Sequence, residues 1–330
     1  DAAPQETLFV VAFSPRRPPR PLYAGPVRAP LGNRRQPPGL AALEGGRVAV
    51  ASTGAEGHVR VRRLGLDGRV EAPAQVDDAR ADRRFAPALA PRGTSLFVAY
   101  VGTPSREGPT PDAPRLRLVR LDARQQVSDR QNPAPSGMGG VAPRFLGEEL
   151  AFVESREAVS ALLLATVDPD AVGAVLTPLS NVYDPVAIAL ARVKEHTLVG
   201  YTAVGQGART AVGLVQVAGA RASAPLPLVA GEGYGRLGVD VASGPAAALF
   251  VADAPRAEDA DAPREVRAML VQPGDARPAI GPRIALPFPG EDQRHAHVAR
   301  HADGTYAVVA STPAGVVAHF LRCDDAGGSG

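Results

Sequence analysis

Residues 44–53 read EGGRVAVAST, and residues 303–312 read DGTYAVVAST. This near-copy constrains the fold more than any other feature, because it is the outer pair of a series. A turn signal, then a short apolar run closing on a small or polar residue, recurs as GGRVAVAS, RGTSLFVAY, GEELAFVES, KEHTLVGYT, GPAAALFVAD and DGTYAVVAS. The runs begin at Val48, Leu96, Leu150, Leu198, Leu249 and Tyr306, at spacings of 48, 54, 48, 51 and 57. Each is preceded by a shorter segment, from PPGLAAL in the first unit to HAHVARH in the last. Each is followed by a third stretch and a polar turn, as in HVRVRRLGLDGRV, and most units end on an outer segment such as APAQV or PLPLV.

Four short strands per unit, repeated every ~40–50 residues, is the pattern of β-propeller blades. The second-strand runs are continuously apolar rather than alternating, which is expected when neighbouring blades cover both faces of a sheet. The 35 glycines and 33 prolines are spread along the chain as punctuation between short elements. An internal proline costs a helix ~3 kcal/mol or more, so long helices are excluded. At 330 residues the chain exceeds what one core usually supports, and repeated units distribute that core. The expected fold is therefore all-β: a single β-propeller of six four-stranded blades, with seven blades as the alternative. The blades fall at 36–80, 84–133, 140–180, 183–230, 234–288 and 293–324, the last closed by the N-terminal segment 7–30. Residues 148–167, EELAFVESREAVSALLLATV, lack Gly and Pro and taken alone read as a helix. In register with the other units they read as two strands.

The turn-and-run flavour of HADGTYAVVAST, APRGTSLFVAY and FLGEELAFVES resembles the repeats of bacterial TolB-like and PD40 propellers. The resemblance implies the propeller fold. The chain lacks the Ser-Pro-Asp-Gly and Trp of those repeats, and with no Trp at all it matches neither the WD40 pattern nor the sialidase Asp-box.

Charge excludes more than it assigns. The formal net charge is +2, Lys194 is the only lysine, and the arginines are scattered without interleaved aromatics, which argues against nucleic acid as a partner. The arginine-for-lysine bias matches the codon usage of a GC-rich genome. SPRRPPRP (14–21) reads as a proline-stiffened arm. Cys323 is the only cysteine, so no internal disulfide forms, and the flanking Asp324 and Asp325 disfavour its thiolate. No apolar run reaches the ~18–20 residues of a membrane-spanning helix. DAAPQET at the start reads as a mature N-terminus, and GGSG at 327–330 as a linker.

Chemistry-bearing residues are few. In HAH, period-two alternation puts His295 and His297 on one strand face, and His301 follows in the turn. Two imidazoles at that spacing with a third nearby can ligate Zn²⁺ or Cu²⁺, so a divalent metal is the cofactor the sequence admits. DAPRAEDADAP (253–263) gathers Asp253, Glu258, Asp259 and Asp261, oxygen ligands of the kind Ca²⁺ takes, but without EF-hand spacing. VGQGAR (204–209) lies between strands and reads as a hairpin turn, and Ser52 and Ser311 occupy repeat positions. The two long insertions, 102–114 and 253–263, are the candidate partner surface. The residues expected to contact the partner are Arg106, Glu107, Asp112, Arg256, Glu258, Asp259 and Asp261.

Two functions remain. One is a non-catalytic binding or scaffold propeller of the bacterial envelope or exterior, periplasmic, cell-surface or secreted. It would contact a protein or polysaccharide through channel mouth and loops. The alternative is a propeller enzyme, a glycan or lactone hydrolase or lyase, with a metal or carboxylates in the channel. Nine Phe, six Tyr and no Trp leave few rings to stack on sugars, which favours the first.

Overall fold

The structure is a computed structural model that describes residues 5–14, 17–28, 38–54, 57–81, 87–103, 115–131, 140–154, 160–167, 174–182, 187–204, 210–231, 238–255, 263–289 and 292–322. Every regular element among them is a β-strand. An N-terminal hairpin pairs β1 (Gln5–Ser14) with β2 (Arg17–Arg28) as a two-stranded sheet. The first blade holds β3 (Gly39–Leu43), β4 (Arg47–Thr53), β5 (His58–Gly65) and β6 (Ala74–Ala81). The second holds β7 (Ala88–Arg92), β8 (Ser95–Thr103), β9 (Arg115–Leu121) and β10 (Val127–Gln131). Pairing of Arg80 with Thr103 and Ala81 with Gly102 joins these two blades into one eight-stranded sheet.

The third blade is β11 (Gly140–Leu146), β12 (Glu149–Glu154), β13 (Ser160–Val167) and β14 (Ala174–Val182). The helix-like text at 148–167 is thus two strands, as its register with the other repeats requires. The fourth blade is β15 (Ala187–Val193), β16 (His196–Val204), β17 (Thr210–Ala218) and an outer strand in two pieces, β18 (Arg221–Ala222) and β19 (Leu226–Gly231). The fifth repeats that plan with β20 (Val239–Ser243), β21 (Ala248–Pro255), β22 (Arg264–Gln272), β23 (Ala279–Ile280) and β24 (Ile284–Ala285). The sixth pairs three strands: β25 (Arg294–Arg300), β26 (Thr305–Thr312) and β27 (Gly315–Arg322). The fold is a six-bladed β-propeller.

Two compact units divide the chain, 1–157 with 164–176 and 158–163 with 177–330. The core of the first includes Val61, Leu96, Val98, Tyr100, Val119 and Leu121. In the second, β21 shows why a run of continuous apolar residues is needed. Ala248, Phe250, Ala252 and Ala254 enter a cluster with Leu198, Leu214 and Met269, while Leu249 and Val251 enter another with Leu286, Phe288 and Val308. Successive side chains of a strand point to opposite faces, and here each face meets a neighbouring blade.

The first and second strands of the blades meet at tight turns. Arg92 pairs with Ser95 across Gly93, Leu146 with Glu149 across Gly147, and Val193 with His196 across Lys194, each with two residues between. Such hairpins need a left-handed residue to match the strand twist. Gly93 (φ 53°) and Gly147 (φ 56°) supply it, and Lys194 adopts the same conformation at φ 53° with a side chain attached. The opposite ends carry the long connections, 104–114 after β8 and 256–263 after β21.

Candidate functional site

Odd-numbered residues of β21 face the sixth blade, and that parity carries Asp253 into a polar cluster at the long-connection end. Asp253 is almost wholly buried. Its Oδ1 accepts the Gly238 N–H, and its Oδ2 lies 3.1 Å from Arg264 Nη1. A Cβ at Gly238 would run into that carboxylate, so only glycine fits the approach. The Arg264 N–H donates to Asp292 Oδ1 at 3.2 Å, and Asp292 Oδ2 takes Arg294 Nε at 2.7 Å. Buried Gln293 accepts from the Val266 N–H at 2.9 Å and donates to the Phe288 carbonyl at 2.9 Å. Each buried polar group in this cluster is paired, as burial requires.

Asp253 belongs to a series. In the fourth blade the equivalent residue closing the apolar run is Thr202, buried, whose Oγ1 accepts the N–H of Ala187 at 2.9 Å. Glu154 takes that place in the third blade and is as buried as Asp253. In the fourth and fifth blades this polar residue, near the end of the second strand, serves the backbone where the first strand enters. The sequence displays this residue as the polar close of each run, but its spacing gives no sign of burial. The loop membership expected for Asp253 is corrected accordingly: it lies inside β21 and is bonded to Arg264, not among loop ligands.

The histidines divide. A register shift between Arg294 and His297 places a bulge at the start of β25, with His295 at φ 56° and Ala296 buried between the two exposed histidines. His297 Nδ1 lies 3.2 Å from Asp240 Oδ2. That carboxylate also accepts the Val298 N–H at 3.1 Å on Oδ2 and the Val241 N–H at 2.9 Å on Oδ1. His301 sits past the other end of β25, roughly 13 Å of strand away from His297, with Nδ1 3.0 Å from Asp303 Oδ1. The Thr305 N–H, first, and then His301 lower the Asp303 carboxyl to about 2. The stability it adds is present above the ordinary carboxylate range and is lost as pH falls through about 2. Among the described residues no three His, Cys, Asp or Glu side chains converge as a metal site. His319 packs edge-on against Phe288 at 4.5 Å.

Arg106, Glu107, Asp112, Arg256, Glu258, Asp259, Asp261 and Cys323 lie outside the described residues, as does 205–209 of the VGQGAR turn. No helix among the described residues is long and apolar enough to cross a membrane.

No protein-family model matches the chain. No curated protein matches it significantly. Solved structures do. An intramolecular trans-sialidase from leech, complexed with 2,7-anhydro-Neu5Ac, is similar at TM-score 0.55 and 10% identity, over 86% of this chain and 67% of that one. An ulvan lyase bound to -[GlcA(1-4)Rha3S]- is similar at TM-score 0.53 and 11% identity, over 89% of this chain and 84% of that one. The intramolecular trans-sialidase of Ruminococcus gnavus is similar at TM-score 0.52 and 12% identity, over 83% and 89%. The propeller resemblance holds at the level of fold, and these neighbours are sialidases and a polysaccharide lyase rather than TolB-like proteins.

Proposed function

We propose that this chain is a carbohydrate-active propeller that takes an acidic polysaccharide at the long-connection end of its sheets, outside the cytoplasm. The observation that carries the reading is the set of ion pairs at that end of the second unit: Arg264 with Asp253, Arg294 with Asp292, and His297 with Asp240, the last two partly exposed. Ionic and hydrogen-bonding groups set close together are what recognition of a charged sugar calls for. The fold analogy points the same way, since the leech and ulvan-lyase complexes carry a sialic acid derivative and a glucuronate-containing glycan. These neighbours move the balance from the non-catalytic reading toward the enzyme.

The non-catalytic reading keeps one observation in its favour. Asp253 and Asp292 each have both oxygens engaged by the protein, so neither is placed as one of a pair of hydrolytic carboxylates. Calorimetry against uronate-containing, sialylated, sulfated and neutral polysaccharides tests the proposal, followed by assays for new reducing ends and for unsaturated products. Binding confined to acidic glycans is expected. Exchange of 104–114 and 256–262 for short Gly/Asn turns should weaken it. Binding without product returns the chain to the scaffold reading, and indifference to every acidic glycan ends the proposal.

A further inference from the structure

We infer that His297 Nε2 is the proton acceptor of this site, acting on the carbon next to the carboxylate of a 4-linked uronic acid residue. The inference rests on the acidic-glycan reading above and gives it a reaction.

The Asp240–His297 pair has the construction of an oriented base. Asp240 is fixed by two backbone N–H groups, Val241 on its own strand and Val298 on β25, so its carboxylate is locked between the first strands of two blades. A carboxylate only accepts, so the neutral imidazole presents its proton at Nδ1, 3.2 Å away, and its lone pair at Nε2. Among the described residues Nε2 has no partner, and the side chain is half exposed. The ring is held on one nitrogen and open on the other, the arrangement by which a carboxylate sets a catalytic imidazole.

The strands β20, β21 and β22 pack against β25 and carry the other charged groups on that side. From β20 comes the Asp240 carboxylate, from β25 Arg294 and His295, and from β21 and β22 the mutually paired Asp253 and Arg264. Across β26 the residue opposite His297 is apolar Val309. The nearby carboxylates are occupied by backbone and arginine, which leaves the imidazole as the basic atom facing outward. A carbon acid beside a carboxylate calls for one such base and no second carboxylate.

The step balances without a redox partner. Nε2 takes the C5 proton and the C5–H electron pair forms a C4–C5 double bond. The C4–O bond to the next sugar breaks, and water protonates the departing oxygen.

Two measurements on the whole chain decide it. Nitrogen-15 NMR of His297 is expected to show Nδ1 protonated and Nε2 bare, and the reverse tautomer overturns the assignment. With a uronate polysaccharide, His297→Gln is expected to lose about 10²–10⁴-fold in double-bond formation, followed by ultraviolet absorbance, with the melting temperature retained and any loss of glycan affinity far smaller than the loss of turnover. Asp240→Asn should lose less and mix the tautomers. Full activity in His297→Gln overturns the assignment, as does activity abolished by a chelator and restored by Zn²⁺. Wild type that binds the glycan without forming the double bond overturns the base and leaves the glycan reading standing. Wild type that binds no acidic glycan ends both.

Discussion

The two ends of each sheet solve different problems with the same strands. At the tight-turn end, side chains reach across to the backbone of the next blade. Arg63 donates to the carbonyls of Asp122 and Ala123, Arg92 to those of Val167 and Gly147, and Gln216 exchanges two hydrogen bonds with Gly274. At the other end the most deeply buried ion pair, Asp253 with Arg264, is the main feature. The first arrangement fixes geometry and depends little on which residues form it. The second depends on particular charges and leaves His297 open to solvent. The turn end ties neighbouring blades through backbone carbonyls, and the loop end carries the chemistry in the function proposed above.

Both ends presuppose a complete set of blades, and among the described residues the sixth has three paired strands, with Val316 and Phe320 exposed on β27. We propose that residues 7–30 supply a fourth. Their deletion should produce the largest loss of any change, visible as a broad, non-cooperative melt. An unaltered melting curve would show the segment to be an independent arm.

The next effect sets the two ends against each other. Asp253→Ala removes a buried carboxylate that accepts from the Gly238 N–H and pairs with Arg264 Nη1, and should cost about 3–5 kcal/mol in urea unfolding. Arg92→Ala removes two bonds to carbonyls and a guanidinium 4.8 Å over the Phe97 ring, and should cost about 1–2 kcal/mol. Equal losses would erase the distinction between the ends.

A smaller effect isolates the turn itself. A Cβ at Gly147 would meet nothing within 4 Å, so Gly147→Ala tests backbone conformation alone. It should destabilise by about 1 kcal/mol. Lys194→Gly should act in the opposite sense and more weakly, because glycine relieves the left-handed strain but adds freedom to the unfolded chain. A destabilised Lys194→Gly would mean that the lysine side chain, not the turn, holds that hairpin.

The fold was legible because its repeat is written in residues that do one job each: turn glycines, continuous apolar runs, a polar close. The register that assigns 148–167 to strands outweighs local helix propensity, since burial on two faces decides the conformation there. The site was less legible. Asp253 opens the stretch that carries Glu258, Asp259 and Asp261, five residues before the first of them, and only strand parity separates a buried ion-pair member from a loop residue. The Asp240–His297 pair joins residues 57 apart on separate blades, a contact no local spacing announces.

The smallest expected effect is none, and it bears on the histidines as metal ligands. His297 spends Nδ1 on Asp240, His301 stands past the far end of β25 beside Asp303, and His295 sits in the bulge. A two-histidine site at most remains, short of the three protein ligands that hold catalytic zinc. A ligand that binds only the folded state stabilises it by ~2.7 kcal/mol at a hundred times its dissociation constant. Micromolar Zn²⁺ or Cu²⁺ near neutral pH should therefore leave the melting temperature where it was, with His297→Ala indistinguishable from wild type in its metal response. A clear upward shift that His297→Ala removes would place a metal at the loop end and make Asp240 the carboxylate orienting its ligand.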